Sequence, residues 1–197
     1  MGLALRDHDR HTYGEYLTWP EGERYQLIDG EAYLMAPAPT VRHQEVVGEI
    51  FFQLRRALAG RPCSVLIAPV DVLLPKADEA DEAVDTVVQP DVLVVCDPAK
   101  VRERNVRGAP DLVVEVLSPA TSALDQIKKR HHYERSGVRE YWLVHPLDRT
   151  LTIYRREGGR FGMPQTHALE GVTPVGILPG VGIEWDDLVA RLPPTVY

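Results

Sequence analysis

Two carboxylates mark the part of this sequence that could do chemistry. Asp91 opens the apolar stretch Val92-Leu93-Val94-Val95, and Glu115 falls near the end of Leu112-Val113-Val114-Glu115-Val116-Leu117. Stretches apolar on both parities make strands that are buried on both faces in the middle of a sheet. An antiparallel register that sets Asp91 opposite Glu115 also sets Val95 opposite Asp111, and it holds the two acids as cross-strand neighbours with Cβ atoms about 5 Å apart. Like charges so placed repel and are desolvated, and a hard divalent cation, Mg²⁺ with Mn²⁺ as its substitute, relieves both costs. The backbone carbonyl of Val116 would add a third oxygen donor. The plainer alternative has Asp91 capping the turn after Pro90 and Glu115 paired with a basic residue. Asp71, on the otherwise apolar run Val65 to Leu74, is a further candidate acid, with a surface position on an edge strand as its alternative.

The elements that must position these residues can be read from spacing. Tyr25–Ile28 and Ala32–Met35 flank Asp29-Gly30, a hairpin-turn dipeptide, and Pro37 and Pro39 end that hairpin. Thr40 can cap a helix whose apolar positions Val47, Ile50, Phe51, Leu54 and Leu58 recur at three and four residues, ending near Gly60. Apolar runs at Val65 to Leu74, Val87 to Val95 and Leu112 to Leu117 predict strands, Ser122 to Ser136 predicts a second helix ended by Gly137, and Glu140 to Val144 predicts another strand. Leu151 to Tyr154 and further short strands follow, Gly158-Gly159 marks a hairpin, and Trp185 to Arg191 predicts a terminal helix. Buried strands need helices over them, so the expected class is α/β, a mixed sheet flanked by helices.

With 197 residues, 44% of them hydrophobic and 26% charged, the chain reads as one globular domain. Within it lie a helix and hairpin at about 12–36, a core at about 40–155, and C-terminal strands and a helix at about 156–197. The 22 basic against 29 acidic residues give a net charge of −7, which argues against a protein that coats nucleic acid without specificity. No apolar run approaches the roughly 18 residues of a membrane span, and the N-terminus lacks a signal-peptide apolar core, so the expectation is a soluble, cytoplasmic protein. Cys63 and Cys96 sit in or beside apolar runs and read as inert core thiols.

Pro90-Asp91 followed by Glu115-Val116-Leu117 resembles the PD-(D/E)XK nuclease superfamily. More closely, Leu27-Ile28-Asp29-Gly30, Arg42-His43-Gln44, Gln89-Pro90-Asp91, Val114-Glu115-Val116-Leu117-Ser118-Pro119 and Gly137-Val138-Arg139-Glu140-Tyr141-Trp142-Leu143-Val144 resemble the bacterial Uma-two family of restriction-endonuclease type. The resemblance runs from about residue 25 to 155. It implies a restriction-endonuclease-like three-layer fold and a metal-dependent endonuclease acting on DNA, with Asp91 and Glu115 as catalytic metal ligands. The superfamily's lysine would fall at Leu117, and the Uma-two pattern supplies a replacement in Asp125, Lys129 and Tyr133. Their four-residue spacing stacks them along one helical stripe, where Lys129 can serve an attacking water or act as a plain partner of Asp125.

Many superfamily members take a glutamate from the first long helix, but Glu45 and Glu49 fall nearly opposite the core stripe here, whereas His43 falls within about 60° of it. His43 is the better site candidate, with a hydrogen-bonded core histidine as its alternative. The stretch from Cys96 to Pro110 reads as a long loop at the strand ends away from Asp91 and Glu115, and its Lys100, Arg102, Arg104 and Arg107 are candidate DNA-backbone contacts. Two other readings stay open: a non-catalytic nucleic-acid- or partner-binding module retaining the fold, and self-association as a homodimer through exposed Tyr13, Tyr16 and Trp19.

Overall fold

The computed structural model describes residues 6–7, 9–20, 24–35, 38–119 and 122–193. Pro37, expected to help end the first hairpin, lies outside the described residues. The strands are β1 (Arg6–Asp7), β2 (Tyr25–Ile28), β3 (Glu31–Leu34), β4 (Ser64–Ile67), β5 (Asp71–Leu73), β6 (Val87–Val88), β7 (Val92–Val95), β8 (Asn105–Arg107), β9 (Leu112–Val116), β10 (Glu140–His145), β11 (Thr150–Glu157), β12 (Arg160–Phe161), β13 (Gln165–Ala168), β14 (Val172–Pro174) and β15 (Gly182–Glu184). The α-helices are α1 (Tyr13–Tyr16), α2 (Val41–Ala57), α3 (Arg130–Ser136) and α4 (Asp186–Arg191), and a π-helical turn, Leu124–Lys129, runs into α3.

Local chemistry explains the boundaries. Asp29 (φ +49°) and Gly30 (φ +82°) form the two-residue turn between β2 and β3, where paired positive φ values match the strand twist. Thr40 caps α2 by accepting from His43 N at 3.2 Å. Gly137, at φ +100°, ends α3 in the left-handed conformation.

The central sheet runs β12-β11-β10-β9-β7-β4, with β13 also on β11. Within it β7 and β9 pair antiparallel, with Val92 opposite Val114 and Val94 opposite Leu112, the register expected from Asp91 and Glu115; β9 and β10 pair parallel. Alternation divides the side chains between two faces. Val92, Val94, Leu112, Val114 and Val116 join Val46, Val47, Ile50 and Leu54 of α2 in one core, together with Trp142 and Trp185. Leu93, Val95, Val113 and Leu143 join Val72, Val88, Val106 and Tyr133 in another. The molecule is therefore mixed α/β with mixed sheets flanked by helices.

A second sheet, β1-β3-β2-β6-β5-β8, corrects the expected strands. The run Val65 to Leu74 breaks at Ala68-Pro69 into β4 of the central sheet and β5 of the second, and Val87 to Val95 breaks at Pro90 into β6 and β7. Proline lacks the N–H a central ladder needs, so each run changes sheet at its proline. Asp71 is thus on β5, flanked on both sides by β6 and β8, and is not at an edge. The expected free loop from Cys96 to Pro110 is also corrected: it carries a 3₁₀ turn, Pro98–Lys100, and then β8, paired parallel to β5.

Two further expectations change. Cys63 and Cys96 are not free thiols but form a disulfide. The β4–β7 pairing sets Ser64 opposite Val95, which brings the next pair outward, Cys63 and Cys96, face to face. Tyr13 is buried, and Tyr16 and Trp19 are partly covered, packed with Leu27, Leu73 and Val87 inside the chain. That packing removes the exposed aromatics on which the homodimer reading rested. Among the described residues, no helix is long and apolar enough to cross a membrane.

Candidate active site

Glu115 has the parity of Val113, so it leaves β9 on the face covered by the helix that carries Lys129 and Tyr133. Lys129 Nζ lies 3.0 Å from Glu115 Oε1 and 2.9 Å from Asp125 Oδ1. Tyr133 donates its hydroxyl proton to the same Glu115 Oε1 at 2.7 Å. All four are buried: Glu115 2%, Asp125 2%, Lys129 3% and Tyr133 0% exposed. The four-residue spacing of Asp125, Lys129 and Tyr133 survives the π-helical turn as one inward stripe. Tyr141 of β10, which sequence reasoning missed, donates to the Asp125 carbonyl at 3.1 Å.

Asp91 stands at the entrance of β7, partly exposed, where its Oδ2 accepts from Val116 N at 2.8 Å. His43, in the first turn of α2, brings Nε2 to 3.3 Å from the same oxygen. Its Nδ1 is buried without a hydrogen-bond partner. The site is therefore graded, with Glu115, Asp125 and Lys129 enclosed and Asp91 with His43 toward solvent. Glu45 is exposed, and Glu49 is bonded to Gln53 and Arg191, so neither supplies the acid.

Burial dominates the electrostatics. It pushes the Glu115 carboxyl up to about 8; Lys129 opposes the rise, while Asp125 and Asp91 reinforce it. Burial disfavours the Lys129 ammonium, but Asp125 and Glu115 outweigh that and hold it charged, well above the ordinary lysine value. Two carboxyl groups, Asp125 and Glu115, thus contact one ammonium, and Asp91 acts on it from farther away. For His43, burial disfavours the charged ring, yet the hydrogen bond and charge of Asp91 prevail and raise its pKa.

The donor chemistry fits a hard divalent ion. Asp91, Glu115 and the Val116 carbonyl offer oxygen donors, and Lys129 and Tyr133 share Oε1 of Glu115 and leave Oε2 to other partners. Among the described residues, no three His, Cys, Asp or Glu side chains are already gathered as a metal cage, so the carbonyl and water would have to complete the shell.

Other candidates fall elsewhere. Asp71 is held by Gln89 Nε2 at 2.8 Å, in the second sheet. Lys100 donates to the Ala109 carbonyl at 2.9 Å, while Arg102 and Arg107 are paired with Asp81 at 2.5 and 2.8 Å. The acidic stretch around Asp81 therefore neutralises much of the expected basic patch. Sequence reasoning also missed a clasp on the site helix. Asp29 at the hairpin turn lies 3.2 Å from His132 Nε2 and 3.7 Å from Arg135 Nη1, and Glu31 Oε2 lies 3.0 Å from Lys128 Nζ. Lys128 also bonds the Tyr33 hydroxyl. The available signal was the spacing of Lys128, His132 and Arg135, which puts them on one helix face beside Lys129.

Known proteins resemble this chain in fold and in sequence. A crystal structure of a "putative nuclease" from Anabaena variabilis ATCC 29413 superposes with TM-score 0.73 at 21% identity, covering 92% of this chain and 98% of that one, a likeness of fold. An uncharacterized protein of Synechocystis sp. is 27% identical over 145 residues, 72% of each chain. The model of the Uma-two (Uma2) family, described as "Putative restriction endonuclease", matches residues 13–186. A match over that span places the chain in the Uma2 family.

Proposed function

We propose that the protein is a metal-dependent endonuclease hydrolysing phosphodiester bonds of DNA. The observation that supports this most is that Asp91 and Glu115 stand on two paired buried strands while Glu115 and Asp125 share the Lys129 ammonium. Asp91, Glu115 and the Val116 carbonyl would hold Mg²⁺ or Mn²⁺. Bound there, such an ion supplies a water of lowered pKa and neutralises charge on the scissile phosphate. Tyr133 and Lys129 fix the Glu115 carboxylate through Oε1, and Lys129 adds positive charge where negative charge develops. His43, whose charged form Asp91 favours at the open side, is the group placed to give a proton to the departing oxygen.

A non-catalytic DNA- or partner-binding module is the second reading, favoured by one observation: Lys129, 3% exposed, is already committed to two carboxylates. Calorimetry with Mn²⁺ and a supercoiled-plasmid nicking assay separate the two. The enzyme reading expects Mn²⁺ binding, roughly 100-fold weakened in Asp91→Asn, and nicking that follows metal occupancy. DNA binding without Mn²⁺ binding would leave the second reading standing.

A further inference from the structure

The site helix is wound unusually at the point where it reaches the acids. Residues 122–123 are α-helical, Leu124–Lys129 form the π-turn, and α3 follows without a break. The Arg130 N–H accordingly reaches back five residues to the Asp125 carbonyl, shared with that of Ile127, where an α-turn would send it to Gln126. Nothing local asks for this winding. Leu124-Asp125-Gln126-Ile127-Lys128-Lys129 holds no glycine or proline, and most of its residues are good α-helix formers. A π-turn in such a sequence is selected by a contact from outside the helix.

That contact is Tyr141. Its hydroxyl donates to the same Asp125 carbonyl at 3.1 Å, giving that oxygen a second partner that the helix itself does not supply. A buried phenol needs a partner, and among the described residues this carbonyl is the one it has. The ring stands on β10 between its register partners Val113 of β9 and Tyr154 of β11. It is fully buried and packs on Tyr133, Tyr154 and Phe161 at centroid distances of 5.0, 6.1 and 6.2 Å, so the sheet and three other rings fix where its hydroxyl sits.

We propose that Tyr141 is a positioning residue of the site: its hydroxyl holds the helix in the π winding and thereby keeps the Asp125 carboxylate on Lys129. A π-turn advances by about 80° per residue where an α-turn advances by about 100°, so over the four residues from Asp125 to Lys129 the two windings differ by about 80°. For a carboxylate roughly 6 Å from the helix axis, that rotation is a movement of about 7–8 Å. It would carry Asp125 far outside its 2.9 Å contact with Lys129 Nζ and leave the lysine with Glu115 alone. The same ring packs on Tyr133, whose hydroxyl meets Glu115 Oε1, so one side chain of β10 orders both neighbours of the lysine. The consequence for turnover rests on the nuclease reading, whereas the winding and its hydrogen bond do not.

The test is Tyr141→Phe, which removes one oxygen and leaves the ring in its packing. In the metal-free protein, NMR couplings through hydrogen bonds identify the carbonyl that the Arg130 N–H meets: Asp125 is expected in the wild type and Gln126 in the variant. At saturating Mn²⁺ the variant should nick plasmid roughly tenfold or more slowly, with KM for DNA near the wild-type value, because only the placing of Asp125 and Lys129 has changed. In an Asp125→Asn background Tyr141→Phe should add less than about twofold, since the group it positions is already altered. A plain packing role predicts a lower melting temperature with Arg130 still on Asp125 and turnover intact, and that result overturns the proposal, as do rate losses that multiply in full in the double variant. A wild-type protein whose Arg130 N–H bonds Gln126 overturns it without any variant. Failure of the nuclease reading is seen separately, as absent nicking in every protein while the change of carbonyl at Arg130 persists.

Discussion

The buried acid at the centre of the site predicts an unusual stability profile. An acid whose pKa is higher folded than unfolded binds its proton more tightly in the folded state, so stability falls as pH rises between the two values. For Glu115 the window runs from the ordinary 4.5 to about 8. Inside that window each step of one in pH costs about 1.4 kcal/mol, so from pH 5.5 to pH 8 this one side chain removes about 3 kcal/mol, a large share of a typical domain's 5–15 kcal/mol. His43, also raised, loses its charge-dependent stabilisation as pH rises through its folded value and adds to the fall. His132 opposes it weakly: burial lowers its pKa, so its neutral form gains ground as pH rises past that value. Urea unfolding in chelator at pH 5.5 and pH 8.5 reads the effect, which should lower the midpoint by about 1 M at the slopes usual for small domains. Glu115→Gln should leave only the shallower His43 fall. A wild-type stability that is flat or rises over this range, or an unchanged slope in Glu115→Gln, would refute the account of Glu115 as a desolvated acid among like charges.

Lys129→Met should cost about 3–5 kcal/mol at neutral pH, because it strands the buried Asp125 carboxylate beside Glu115, where an exposed helix pair would cost under about 0.5; a urea titration separates the two. Mn²⁺ affinity should rise with pH up to about 8 and release a proton on binding, since the metal competes with the Glu115 proton, and calorimetry in buffers of different ionisation enthalpy counts it. Reduction of Cys63–Cys96, which closes a separation of 33 residues, should lower unfolding free energy by about 3–4 kcal/mol, read with and without reductant. Arg104→Ala should reduce the salt slope of DNA binding by about one charge, while Arg102→Ala, already neutralised by Asp81, leaves it nearly unchanged.

The parts of the fold that were legible in the sequence are those set by local rules. Val92 to Val95 and Leu112 to Val116 announced central strands by being apolar on both parities, and requiring their acids to face each other fixed a register that the β7–β9 pairing reproduces. What escaped was decided by partners distant in sequence. Nothing local distinguishes a strand that ends at Pro69 or Pro90 from one that continues into a second sheet, because both halves are equally apolar and only β4's pairing with β7 and β5's with β6 and β8 separate them. That same unread pairing hid the disulfide, since Cys63 and Cys96 meet only once Ser64 faces Val95. The basic segment misled for a related reason: Arg102 and Arg107 looked available until the chain folded Asp81 against them. The site helix shows how function and fold constrain one sequence. Asp125, Lys129 and Tyr133 occupy the inward positions that a packing helix would fill with leucines, so this helix is held by polar contacts from outside the site, Asp29 on His132 and Arg135 and Glu31 on Lys128. A polar inner face needs a polar clasp, and the hairpin turn at Asp29-Gly30 supplies it.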